Sequence, residues 1–239
     1  MKTASALSDA LSGVFAANGV VAALLHRERT GEGQAVDVAM ADCLFSLIFD
    51  EPIDCYERLK VAARQGNRIM RFSPFNIYAA SDGWVAIGAA THEEWLALLD
   101  AMGRSDLRND ANMMQIGWRI VNNDAVDAVV TQWTRPRSKD EVVEALTRAN
   151  VACSPVRSTD EVMRWPQLLE RQMIVPLGNP LTGATAAAAG PGFPIKFCRT
   201  PAGYDTPAPV PGAHSEEIFA RLANLSPADI ERLRSEGVV

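Results

Sequence analysis

The chain has little of what marks several large functional classes. Its 239 residues hold four cysteines, Cys43, Cys55, Cys153 and Cys198, far apart and without a C-x-x-C pair. That spacing fits neither a disulfide scaffold nor a thiolate zinc site, and isolated thiols pack as small hydrophobes. Three histidines, His26, His92 and His214, are too scattered for a metal site, and no metal is expected. No uninterrupted run of about 18 apolar residues occurs, so no membrane span is expected. The early polar residues Ser5, Ser8, Asp9 and Ser12 argue against a signal peptide, and a cytoplasmic location is expected. Lys and Arg number 23 against 29 Asp and Glu, a net charge of -6 that offers no basic surface to nucleic acid. Walker loops, G-x-G-x-x-G, H-E-x-x-H and G-x-S-x-G are all absent, which removes the main phosphate-cradle, zincin and serine-hydrolase signatures.

What remains is an ordinary globular composition, 48% apolar and 22% charged. Leu7, Leu11, Val14, Val21 and Leu25 recur at helical spacing, with Ala and Gly between them. His26, Arg27 and Arg29 suit the last turn of that helix and Gly31 its cap. Val36, Val38 and Met40 alternate, which predicts a short strand over 34–40. A second apolar helix follows around Leu44 to Phe49, and a further helix is expected from Tyr56 to Arg64. Phe75–Ala79 and Trp84–Gly88 flank Ser81, Asp82 and Gly83 as a hairpin. Thr91 with Glu94, and Ser138 with Glu141, are capping-box strings that open helices; a third helix runs through Val126, Val129, Val130 and Trp133. Residues 153–156 read as extended, and a brief helix starts at Thr159. The Pro, Gly and Ala content of 176–212 reads as linker, and the tail recovers order in helices beginning near Ser215 and at Ser226-Pro227.

Local chemistry singles out Asp9 only mildly. It lies in the first turns of a helix, where the dipole favours a carboxylate, and a plain helix-start acid explains it as well. Asp37, on the polar side of its predicted strand, has an equally plain explanation, and spacing does not choose between the two.

The string Ser8-Asp9 through Gly13, then Ala22-Ala23-Leu24, Arg27, Thr30-Gly31, Gly33-Gln34, Val36-Asp37-Val38 and Met40, closely resembles the class III CoA-transferases, whose relatives include α-methylacyl-CoA racemases. Matching strings recur at Pro74-Phe75, Asp82-Gly83-Trp84-Val85, Val151–Val156 and Pro211–Glu217. The resemblance implies an α/β fold: a partial Rossmann-like large domain plus a small α+β domain, in interlocked dimers. On this reading 1–50 carries the catalytic helix and strand, 51–65 is a linker, 66–165 the small domain, 166–212 a return linker and 213–239 the C-terminal helices.

The resemblance also implies that Asp9 is a nucleophile that forms an anhydride with an acyl-CoA and then an aspartyl-CoA thioester. Coenzyme A thioesters enter as substrates, beside a carboxylic acid acceptor, with no resident cofactor; no residue is assigned to CoA contacts. Family members begin well before this helix, so the chain is expected to be a C-terminal part. It should then expose an apolar face of helix 7–25, to be covered by a second copy or by an N-terminal partner chain. Where relatives carry a glycine-rich loop over the site, this chain has a single-glycine stretch, and Gly66 and Asn67 are its candidate substrate-loop residues. Two other outcomes are implied: a non-catalytic relic or accessory subunit, and an acyl-CoA racemase or isomerase.

Overall fold

The stripe that begins at Leu7 forms one long helix, α1 (Leu7–Thr30), in the computed structural model, which describes residues 5–48, 64–69, 71–179, 185–203 and 207–238. Gly31 ends it in the left-handed conformation, φ 79°, with its N–H donated to the Arg27 carbonyl, a geometry that a β-carbon would strain. No residue of α1 is buried. Residues 32–39 carry no regular secondary structure, so the strand expected over 34–40 is not formed. Alternation supplies a strand's pattern but not its partner, and among the described residues no neighbouring strand offers a ladder. The segment instead lies against α1, where a β-carbon at Gly19 would come within 2.8 Å of the Val36 side chain. Helix α2 (Met40–Ile48) follows, with Cys43 buried. The helix expected from Tyr56 falls at 56–63 outside the described residues.

Two compact units are distinguished, 1–156 and 157–239. The first unit's core is built on a hairpin of β1 (Phe75–Ala80) and β2 (Gly83–Gly88), paired antiparallel from Phe75↔Gly88 to Ala80↔Gly83. Gly83 takes φ 152° at the turn, with the Lys139 side chain 3.1 Å from where its β-carbon would sit. The expected extended piece joins as β3 (Ala152–Pro155), antiparallel to β2. Four helices accompany this sheet: α3 (His92–Ala101), α4 (Ile116–Val121), α5 (Asn123–Thr134) and α6 (Lys139–Arg148). Both predicted capping boxes are made, Thr91 with Glu94 and Ser138 with Glu141, each satisfying backbone donors that a helix start leaves free. Asp82 of the hairpin turn accepts the Lys139 N–H at 2.7 Å, tying the turn to the start of α6.

Strand alternation sends Tyr78, Val85 and Ile87 into a core with Trp95, Leu98, Leu99, Val126, Val130, Val142 and Leu146. Each such aliphatic side chain contributes roughly 1.5–3 kcal/mol by leaving water. The opposite sheet face, with Phe75, Ile77 and Trp84, is not covered to the same extent; Trp84 is 54% exposed.

The second unit departs from the sequence reading. Residues 166–212, expected to be a return linker, contain α8 (Pro166–Glu170) and an antiparallel pair of β4 (Ile174–Gly178) with β5 (Thr185–Pro191). The alanine run has no apolar–polar alternation, so only cross-strand pairing with 174–178 reveals it as a strand. Before it stands α7 (Thr159–Met163), whose cap is Ser158 in a box with Glu161; after it come α9 (Ser215–Ala223) and α10 (Pro227–Ser235), the latter capped by Ser226. Cys43, Cys153 and Cys198 are free thiols, and Cys55 lies outside the described residues. The fold is mixed α/β with small antiparallel sheets, and no parallel strand pair occurs among the described residues.

Candidate active site

Asp9 stands in the first turn of α1, exposed, with the Ser8 hydroxyl donating to its Oδ2 at 3.3 Å. The residue before the helix, Ala6, supplies no side-chain cap, and the positive end of the α1 dipole lies beside this carboxylate. Gly13 lies one turn on, on the same helix face. A β-carbon there would meet nothing beyond its own helix within 4 Å, which leaves bare helix backbone one turn from Asp9. The polar residues Ser12, Asn18 and Thr30 spend their side-chain hydrogen bonds on carbonyls of their own helix, at 2.7, 3.1 and 2.9 Å.

Gly66 and Asn67 form a turn that closes where the Arg68 N–H meets the Gln65 carbonyl at 3.4 Å, with Gly66 at φ 69°. Asn67 rims a groove of about 330 Å³ on the sheet, floored by Phe75, Ile77, Ala86 and Gly88 and edged by Ser154. The Phe75 ring lies over Gly88, where an added β-carbon would meet it at 2.6 Å. Among the described residues, no hydrogen bond joins Asp9 to Gly66 or Asn67. Cys153, also on the groove, has its thiol pushed up by burial, opposed in part by a contact with Thr147, which leaves it a poor nucleophile at neutral pH.

A charged cluster that sequence reasoning missed sits behind this turn. Arg68 Nε donates to Asp127 Oδ2 at 2.8 Å, and its Nη2 to Asp124 Oδ1 at 2.6 Å. Asp127, only 9% exposed, also accepts the Tyr78 hydroxyl at 2.7 Å and the Asn76 amide at 2.9 Å. Burial first, and then the neighbouring carboxylate, push the Tyr78 phenol far above its ordinary value. Burial pulls Arg68 down, but its bonds to Asp124 and Asp127 outweigh it and hold the guanidinium above its ordinary value. The available signal was Asp127 itself, an acid next to Val126 on the buried side of a helix. A second buried cation, Arg119, donates to the Ser73 and Met113 carbonyls at 2.8 and 2.9 Å and stacks on Trp95, and burial lowers it. It braces the entry to β1. No group of three or more His, Cys, Asp or Glu side chains suited to a metal occurs among the described residues.

α1 contradicts one simple expectation. Although it has no uninterrupted apolar run, its mean hydropathy of 1.5 over 18 residues meets the measure for a membrane-crossing helix. A mostly buried core helix of a soluble protein and a signal sequence near an N-terminus pass the same test; α1 lies near the N-terminus with none of that window buried.

Known proteins resemble this chain along most of its length. The model of CoA-transferase family III matches residues 1–215. The succinyl-CoA:mesaconate CoA-transferase of Haloarcula marismortui is 32% identical over 218 residues, 91% of this chain and 54% of that protein. The succinyl-CoA–D-citramalate CoA-transferase of Chloroflexus aurantiacus is 28% identical over 235 residues, 98% of this chain and 58% of its own length. A CAIB/BAIF family protein from Brucella suis shares the fold at a TM-score of 0.71 and 24% identity, over 93% of this chain and 57% of that one. The chain thus spans a little over half the length of these relatives.

Proposed function

We propose that this chain, which belongs to CoA-transferase family III, moves CoA from an acyl-CoA thioester to a carboxylic acid through covalent chemistry on Asp9. The observation that carries the reading is the Asp9–Gly13 face: an exposed carboxylate at an open helix start, with bare backbone one turn on, inside the matched region.

The chemistry follows from a carboxylate in that place. An Asp9 oxygen attacks the thioester carbonyl; the C–S bond breaks, leaving an acyl–aspartyl anhydride and CoA thiolate. The thiolate attacks the aspartyl carbonyl and expels the donor acid, so CoA is held as a thioester on Asp9. The acceptor carboxylate then attacks that carbonyl, regenerating an anhydride and the thiolate, and the thiolate takes the acceptor acyl group and frees Asp9. Each step exchanges one acyl bond for another, so no oxidant or metal enters the balance. N–H groups of the first helical turn are suited to the oxyanions that form at the aspartyl carbonyl. Gly66 and Asn67 are proposed to contact substrate. Succinyl-CoA is the first donor to test, since the names of both relatives above carry it.

In the working enzyme α1 is covered, by a second copy in an interlocked dimer or by polypeptide that completes a Rossmann-like large domain with 1–50 and 213–239. Between Val14 and Leu25 the helix carries apolar or small residues at every position except Asn18, which is how a core helix reads. Asp9 within it and the family match across it favour an enzyme core in the cytoplasm over a membrane span.

The test is mass spectrometry of the protein after incubation with succinyl-CoA and an acceptor acid. CoA on Asp9, lost in Asp9→Asn together with exchange, is the expected result. Absence of the adduct with exchange unchanged in Asp9→Asn would overturn the reading. Solvent deuterium at the α-carbon without acyl exchange would assign the racemase chemistry instead.

A further inference from the structure

The cluster behind the 65–69 turn has more in it than an ordinary surface ion pair. Arg68 reaches two carboxylates at once, and Nη2 is also 2.7 Å from Asp127 Oδ2. Its side chain is 25% exposed and that of Asp127 12%, so much of the pair is out of water, where a missing partner costs most. Asp127 is in turn pinned by Tyr78 and Asn76, both on β1. The turn is thereby fastened through one side chain to both a helix and the sheet. Asn67, the neighbour of Arg68, is the residue that rims the groove. A lysine in place of Arg68 would offer one ammonium point rather than the forked contact to two acids.

Resting on the transferase reading, we infer that Arg68 is a positioning residue, whose clamp onto Asp127 and Asp124 presets the 65–69 turn so that Asn67 stands as a fixed rim over an acyl-binding groove. The groove suits the acyl part of a CoA thioester or its free acid: most of its lining is apolar, with Phe75, Ile77, Ala86 and Ile87, and Asn67 and Asn76 bring amide groups of the kind that bind carbonyl or carboxylate oxygen. A rim already in place without ligand does not have to be ordered on binding, and it limits water's access to an activated acyl group.

Two measurements on the full chain, with a milder variant beside them, test this. The first is amide hydrogen exchange of residues 66–69 relative to β1 and β2 in Arg68→Met, with circular dichroism to check the fold. The second is the ratio of acyl-CoA hydrolysis to CoA transfer, with succinyl-CoA as donor. Asp124→Asn, at a residue whose side chain is 94% exposed, supplies a variant that leaves the core untouched. Arg68→Met should speed exchange in the turn by roughly tenfold or more, the equivalent of one charged hydrogen bond, and raise the hydrolysis ratio; Arg68→Lys should not restore either. Asp124→Asn should move both in the same direction by less. Turn exchange unchanged in a folded Arg68→Met protein overturns the clamp. Faster exchange with an unchanged hydrolysis ratio overturns the positioning role and leaves a purely structural tie. If the wild-type protein carries no CoA on Asp9, the transferase reading and the positioning role fail together, while the exchange data still decide the clamp.

Discussion

Helices α1 and α3 are made of similar apolar residues and meet opposite fates. On α3, Trp95, Leu98 and Leu99 are fully buried while Glu93, Glu94 and Asp100 stay outside the core. On α1, Leu24 and Leu25 are 44% and 50% exposed and Val21 65%. α3 has a polar face for water and an apolar face for a sheet that its own unit supplies. α1 spreads its apolar side chains around a helix none of whose residues is buried, with α2 packed on it and Val36 meeting it at Gly19. Residue type therefore does not settle burial; the presence of a partner surface does. Within unit 1 the 75–155 region buries its own core, and the helix that buries no residue is the one that carries Asp9.

The largest expected effect that would break this contrast comes from matched truncations. Leu98→Ala should cost about 2–5 kcal/mol in denaturant unfolding, because it leaves a cavity in a closed core. Leu25→Ala, on a half-exposed site, should cost less than about 1 kcal/mol in dilute protein and weaken self-association, read by sedimentation. Equal losses would mean that α1 is already packed in solution.

The second test concerns the buried Tyr78–Asp127 pair. Tyr78 titrates far above its ordinary 10.0 in the folded chain. The protonated phenol is thus the form that folding favours, and its stabilisation is whole below pH 10 and lost as pH rises above it. The group contributes at most about 1.4 kcal/mol per pH unit to that alkaline slope. Tyr78→Phe should flatten the slope between pH 10 and 11.5, measured by urea unfolding, while lowering stability near pH 7 because Asp127 loses a donor. An unchanged slope would mean that the phenol is not held neutral.

The smallest effect sharpens the contrast from the α1 side. Gly13→Ala places a methyl in open space and removes glycine's backbone cost, so it should stabilise α1 by up to about 1 kcal/mol. The same methyl sits one turn from Asp9, and CoA labelling of Asp9 should fall even as the helix gains stability.

Much of the fold was legible because short-range chemistry wrote it. Thr91 with Glu94 and Ser138 with Glu141 are reciprocal hydrogen bonds within one turn, so the string is the structure. The Asp82-Gly83 turn likewise needed only its own residues. The strand expected at 34–40 failed because alternation does not guarantee a ladder, and the 186–189 alanines were misread because their strand is defined by pairing alone. Of the candidate site, Asp9 was legible only as part of a longer string, since its local setting is that of any helix-start acid. Arg68 and Asp127 were not legible as a pair, since 59 residues separate them.

The amino-acid sequence by itself determined the capped helix starts at Thr91, Ser138 and Ser226, the hairpin turn and the family to which the chain belongs. These depend on contacts within a few residues and on a specific string of types. Only the tertiary structure decided that 174–178 would pair with 185–191 and that Arg68 would be clamped to Asp127. Such contacts draw their energy from surfaces brought together across long separations in the chain, and no local pattern records whether the other surface is there.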